Sequence, residues 1–342
     1  MIGRRAFLAA GALAPATAHA QKRLPQSDWY AKGRTKQRDV RFEGRGGVTL
    51  AGTLLLPLYS EIQAVPGIVL VAGSGPTDRD GNNPLAPVRI DLLKEIAELL
   101  ARNGIASLRY DKRGIGQSTP AKGSLETQET FFTWDNFTGD VVAAHAELLR
   151  HGEIKSHATA LLGHSEGGLL ALAAAHMLGK RVHALVLAAT PGRRLDGILR
   201  SQVARDAPTL GPAVDRVIDK ILATGRVPAD LPPELSVLFP RHAGPFLKSL
   251  LSFEPAPILS AIPTSCLMIQ GGADRQIVPM EDVQPLVDAL SARGAAGEAA
   301  VIAQVSHNLK NVTSPTDPGF AGPLSPAVAD VLLTWLVPAL GA

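Results

Sequence analysis

With 342 residues, 46% of them hydrophobic and 19% charged, the chain has a globular composition and room for one large α/β domain with an insertion, or for two domains. Aromatic residues are only 4%, and the formal charge of +3 falls to +1 when the first 20 residues, with their two arginines, are set aside. That balance argues against nucleic acid and anionic membranes as partners, since it offers neither stacking platforms nor a basic face.

Residues 1–20 read MIGRRAFLAAGALAPATAHA. Arg4 and Arg5 precede a short apolar stretch that ends in Ala18-His19-Ala20, the pattern of an export signal with an A-x-A cleavage site. The apolar part is too short to span a bilayer. Arg4-Arg5-Ala6-Phe7-Leu8 looks like a twin-arginine signal, and an ordinary secretory signal is the other reading. Either one predicts a periplasmic or secreted protein, the first with the twin-arginine export machinery as a partner in transit. With no cysteine after the cleavage site, no lipid anchor is expected. Residues 21–37 are polar and lack periodicity, so a flexible leader is expected before a domain over 38–342.

Strand patterns at residues 38–43 and 48–57 flank the turn Gly44-Arg45-Gly46-Gly47. Strand and helix then alternate: strand at 67–72 (GIVLVA), amphipathic helix at 89–102, strand at 105–110, helix at 135–150, strand at 158–162, helix at 166–178, strand at 184–189 (ALVLAA). From 191 to 262 the sequence is rich in proline and holds short helical pieces without a convincing strand. Alternation resumes with a strand at 265–270, a helix at 280–293, a strand at 299–305 and a last helix at 326–336. Such alternation predicts an α/β fold, a mostly parallel central sheet with helices on both faces. The interruption, about 192–262, reads as a helical cap insertion over the C-terminal edge of the sheet, where ligands bind in open α/β sheets. Cys266, the one cysteine, cannot form an internal disulfide and reads as an inert core residue.

Within ALLGHSEGGLL, residues 160–170, a five-residue link joins strand to helix. Gly163, Gly167 and Gly168 allow backbones to approach, and Ser165 at the apex is left strained with its hydroxyl outward, as in a nucleophile elbow. A serine hydroxyl needs a base, usually histidine, that a carboxylate orients. Of the later histidines, His176 falls within the helix after the elbow, His183 begins a strand and His242 lies in the insertion. Only His307 follows a late strand, in Val305-Ser306-His307-Asn308. Asp274 follows the strand at 265–270 through Gly271-Gly272-Ala273, whereas Asp282 and Asp288 lie on the next helix. The oxyanion of acyl transfer needs positioned donors. The backbone N–H of Glu166 at a helix start is one candidate. The N–H of Ser74, in the loop GSGPTDRDGN after the strand at 67–72, is the other. No G-K-[ST] follows that loop, so it is not a phosphate loop.

Together G-H-S-E-G, the late Asp and the late His resemble the α/β-hydrolase superfamily from about residue 40 to the end of the chain. Residues 73–82 resemble the oxyanion loop of a bacterial esterase and lysophospholipase-like group. Residues 109–118 (RYDKRGIGQS) resemble the superfamily's loop after the next strand, and 269–279 (IQGGADRQIVP) its acid-bearing turn. Ala72-Gly73 stands where His-Gly is common, so the resemblance does not fix the second oxyanion donor. What it implies is carboxylic ester hydrolysis through an acyl-enzyme, with Ser165 as nucleophile, His307 as base, Asp274 as its orienting acid and a small-molecule ester as substrate. No metal or cofactor is required. A serine peptidase acting on small peptides is the alternative, with Glu166, Asp78 or Glu234 as anchors for an α-amine; a catalytically inactive binding protein is a third. Asp111 and Arg113 read as a buried structural ion pair. Asp78, Arg79 and Asp80 either read a polar group of the substrate or are pinned by internal hydrogen bonds. Apolar residues of the insertion, among them Leu238, Phe239, Phe246, Leu247, Leu250, Leu251 and Phe253, either line an acyl pocket or pack the insertion onto the main domain.

Overall fold

The computed structural model describes residues 34–61, 63–314 and 316–342. The expected export signal at 1–20 and the expected leader up to residue 33 lie outside the described residues. Strand β1 (Thr35–Glu43) pairs antiparallel with β2 (Thr49–Pro57), so the last three residues of the expected leader are strand. The turn between them runs through Gly46 and Gly47 at φ 74° and 79°, backbone that residues with a Cβ rarely adopt. Strands β3 (Val65–Val71), β4 (Ala106–Tyr110), β5 (Ile154–His164), β6 (Ala184–Ala188), β7 (Ser265–Gly271) and β8 (Gly297–Ile302) complete one sheet in the order β1-β2-β4-β3-β5-β6-β7-β8. β2 runs antiparallel to both its neighbours, and every pairing from β4 to β8 is parallel.

Every residue of β3, β4 and β6 is buried, as expected of parallel strands covered on both faces. Alternate side chains serve opposite faces. Val65, Val69 and Val71 pack with Leu161, Leu187 and Met268 on one side, and Ile68 and Leu70 with Leu162, Val186 and Ile269 on the other. Helix α1 (Leu92–Arg102) lies on the second face, short α2 (Leu125–Phe131) follows, and α3 (Trp134–Leu149) and α4 (Glu166–Leu178) cover the first. Between β6 and β7 come α5 (Leu195–Asp206), α6 (Gly211–Thr224), α7 (Gly244–Ser252) and α8 (Pro255–Ala261), with no strand among the described residues. α9 (Pro279–Asp282), α10 (Gln284–Ala292) and α11 (Pro326–Leu340) close the chain, α11 on the face of α1. Among the described residues no helix is long and apolar enough to cross a membrane.

Local chemistry explains where elements depart from the sequence expectation. α1 begins at Leu92 rather than at residue 89, because Asp91 is left-handed (φ 51°) and the Asn82 side-chain oxygen accepts hydrogen bonds from the N–H groups of Ile90 and Asp91. α2 was not expected; none of its residues is buried, so no apolar period marks it, although Ser124 caps it by accepting from the Thr127 N–H at 3.3 Å. The helix expected over 280–293 is two, since Pro285, at the start of the second, has no N–H to donate back into the first. Apolar side chains of the α5–α8 segment pack rather than line an open pocket: Phe239, Phe246, Leu247, Leu250 and Leu251 are buried in the cluster that contains Phe137. The Phe246 ring lies 4.9 Å from that of Phe137, and the Phe253 ring 4.8 Å from that of Trp134.

Strand order reverses at β3, which has β4 on one side and β5 on the other. A crevice outside the carboxyl ends of β3 and β5 follows from that reversal, and the loops leaving both strands meet in it.

Candidate active site

β5 ends at His164 and α4 begins at Glu166, so Ser165 alone makes the turn, at φ 56° and ψ −125°. This backbone costs on the order of 1–3 kcal/mol and is held from both ends. The Ser165 N–H donates to the Ala188 carbonyl of β6 at 2.8 Å, and the Ser165 carbonyl accepts from the Gly168 N–H at 2.9 Å. All three expected glycines sit where a Cβ cannot. One at Gly163 would lie 2.1 Å from the Gly167 carbonyl oxygen, one at Gly167 2.4 Å from that of Val71, and one at Gly168 1.9 Å from the Thr190 hydroxyl.

Asp274 and His307 meet, although 33 residues separate them: His307 Nδ1 is 2.8 Å from Asp274 Oδ2. Gln270 Nε2 donates to the same oxygen at 2.9 Å, and the N–H groups of Gln276 and Ile277 donate to Oδ1 at 2.8 and 2.9 Å. Burial alone would raise the Asp274 carboxyl, but the charge and hydrogen bond of His307, with the backbone and Gln270 donors, bring it below its ordinary value. His307 is tied to the elbow as well. The ring of His164, directly before Ser165, lies 4.9 Å from the His307 ring, and its Nε2 donates to the His307 carbonyl at 2.8 Å. Burial, with the nearby charge of His307, lowers His164 to about 3, so it is neutral and carries its proton on Nε2. The Ser165 hydroxyl makes no hydrogen bond among the described residues.

The loop after β3 closes on the same spot. A Cβ on Gly73 would stand 3.2 Å from His164 Nδ1 and 3.5 Å from the Ser165 Cβ. Neither the Ser74 N–H nor the Glu166 N–H, the two expected oxyanion donors, makes a hydrogen bond among the described residues. The Glu166 side chain turns inward and is buried, 3.7 Å from the equally buried ammonium of Lys112, which also donates to the Gly73 carbonyl.

Asp111 and Arg113 are both buried and both paired, but not with each other. Arg113 binds Asp140 through Nε and Nη2 at 2.8 and 2.7 Å, and Asp111 takes Arg79 at 2.7 Å. Two positions apart on a chain just leaving β4, their side chains reach different elements. Asp78, Arg79 and Asp80 are pinned by internal bonds: Asp78 Oδ1 accepts from the N–H groups of Asp80 and Asn82, and Asp80 takes Arg109 at 2.7 Å. Cys266 is free and buried, its thiol pushed up to about 12 by that burial. Sequence reasoning missed Gln270, Lys112 and the role of His164. Gln270, at the end of a strand four residues before Asp274, had a weak positional signal; Lys112 had none.

The family described as "Serine aminopeptidase, S33" matches residues 89–236. Esterase EstD of Thermotoga maritima is 27% identical over 244 residues, 71% of this chain and 53% of that protein, so the chain spans about half the length of this relative. Among solved structures, alpha/beta hydrolase GrgF from Penicillium sp. sh18 matches with a TM-score of 0.56 and 20% identity over 90% of this chain and 100% of that one. Est1E of Butyrivibrio proteoclasticus, with ferulic acid bound, matches with a TM-score of 0.59 and 14% identity over 89% and 100%. In its sheet, its elbow and these likenesses, the chain has the fold of the α/β hydrolases it resembles.

Proposed function

We propose that the protein is a serine hydrolase of carboxylic esters acting through an acyl-enzyme. The observation that carries this reading is the 2.8 Å contact of His307 with Asp274 beside an elbow that holds Ser165 at φ 56°. Ser165 attacks the ester carbonyl while His307 Nε2 takes its proton; Asp274 holds the Nδ1–H tautomer and stabilises the imidazolium. The N–H groups of Ser74 and Glu166 receive the oxyanion. His307 then protonates the departing alcohol, and water, activated by the same ring, releases the acid. The esterase relative supports the substrate class. The arginine pair and A-x-A site of residues 1–20 support export to the periplasm or beyond.

Ser165→Ala is expected to keep the fold and lower kcat on an activated aryl ester by on the order of 10⁴–10⁶. It is also expected to abolish labelling by a fluorophosphonate. Wild-type turnover in that variant rejects the assignment.

A peptidase is the second reading, favoured by the description of the matching family. It needs a free acid for the substrate's α-amine. Glu166 is taken by Lys112, and Asp78 already accepts two backbone N–H groups; exposed Glu234 is the candidate left from the sequence. Comparing an aryl ester with an aminoacyl anilide separates the two, and faster cleavage of the anilide favours the peptidase.

A further inference from the structure

Resting on the hydrolase reading, we propose that Lys112 is a positioning residue of the oxyanion hole. Its buried ammonium clamps the Gly73 carbonyl, thereby aiming and polarising the Ser74 N–H, and at the same time anchors Glu166, whose N–H is the second donor.

Gly73 C=O and Ser74 N–H belong to one peptide group. That group is planar and trans, so its carbonyl and N–H point in opposite directions. A cation fixed on the oxygen therefore fixes the direction of the hydrogen, and by polarising the amide makes it a stronger donor. The loop needs such a clamp: Gly73 has no side chain to hold it, and Gly75 at φ 67° adds freedom two residues on. Lys112 is itself anchored. Its carbonyl accepts from the Ile115 N–H at 3.0 Å, and before it the Asp111 N–H donates to Ala51 at 2.9 Å and the Asp111 carbonyl accepts from the Ser118 hydroxyl at 2.6 Å.

The energetics point the same way. Lys112 and Glu166 are 3% and 8% exposed, and burial pushes the ammonium down and the carboxyl up while their mutual attraction opposes both. A buried ion pair is seldom worth more to stability than an apolar pair of the same volume. One that holds the carbonyl of the peptide group that carries the Ser74 N–H, and the side chain of the residue that carries the other donor, has another use: it sets their geometry.

Lys112→Met/Glu166→Gln removes both charges and leaves neither buried alone, and Lys112→Gln keeps a neutral donor. With an aryl ester the double variant is expected to hold its Tm within a few degrees and its KM within about threefold. Its kcat should fall on the order of 10²-fold. Affinity for a trifluoromethyl ketone, whose adduct carries the oxyanion, should fall in step. Lys112→Gln should lie between the double variant and the wild type. A folded double variant with kcat within threefold of wild type overturns the proposal, as does a rise in KM with inhibitor affinity unchanged. Unfolding of both variants overturns it too, assigning Lys112 to the fold alone. The Ser74 amide resonance, read in a Ser165→Ala background, reports the clamp without turnover. It should move when Lys112 and Glu166 are replaced, and a stationary resonance overturns the proposal. Inactivity of the wild type towards esters would reject the hydrolase reading instead.

Discussion

Four donors converge on the Asp274 carboxylate, from His307, Gln270, Gln276 and Ile277. Three of them orient the carboxylate; the fourth is the ring it orients. Because Asp274 is acceptor-only, the His307 proton must sit on Nδ1, which leaves Nε2 as the acceptor that a serine needs. Asp274→Asn keeps shape and volume but presents an amide that can donate to Nδ1, reversing the tautomer. The expected result is a kcat on an aryl ester lower by on the order of 10⁴, with the fold intact by circular dichroism. A loss below tenfold would deny Asp274 this role. The elbow at Ser165 and the meeting of Asp274 with His307 were legible in the sequence because each residue stands in a loop after a predicted strand, although β8 before His307 is largely exposed and ends at Ile302 rather than at residue 305. Lys112 was not, since a lysine two residues past such a strand has no spacing that separates a buried clamp from a solvated side chain. Asp111 and Arg113 misled for a related reason: opposite charges two apart look like partners, yet only the packing of Arg79 and Asp140 decides whom they meet.

At the scale of elements, the turn from β5 into α4 is tight because β3, β6 and α4 press on it together. Gly167 faces the carbonyls of Val71 and Ala72 at the end of β3, which cannot withdraw without breaking their own strand. Gly167→Ala is therefore expected to lower unfolding free energy by about 3 kcal/mol or more, measured by urea denaturation. Gly152→Ala, at a position with open space around the added Cβ, should change it by no more than about 0.5 kcal/mol. Equal stability of the two variants would mean that the elbow has room the packing denies. Core strands and the long helices were readable since their apolar residues keep one period from end to end. Boundaries were not: Asn82 ends the approach to α1 with a side chain distant in sequence, and α2 buries nothing that could mark it.

For the molecule as a whole, two buried histidines couple folding to pH. His164 is lowered to about 3 by burial and the charge of His307. His145 is lowered to about 4 by burial and by Arg181 and His183, its Nε2 bonded to Thr159 at 3.0 Å. Both are neutral in the folded state and near their ordinary 6.5 when unfolded, so below pH 6.5 the unfolded chain binds more protons and stability falls with pH. The window opens near pH 6.5 and closes as pH passes the folded values; at pH 5 each histidine accounts for about 2 kcal/mol of the loss. Asp274, held below its ordinary value, loses its contribution only at lower pH. Asp78, Asp140 and Glu166, whose carboxyls burial raises, act in the opposite sense, so the difference between variant and wild type is the quantity to measure. His145→Gln keeps an amide donor for Thr159 and cannot titrate. Between pH 7.5 and 5, unfolding free energy in this variant is expected to fall about 2 kcal/mol less than in the wild type, with kcat at pH 7.5 unchanged. Parallel pH profiles for the two proteins would mean that proton uptake on unfolding lies elsewhere and that His145 is not the buried neutral ring its surroundings require.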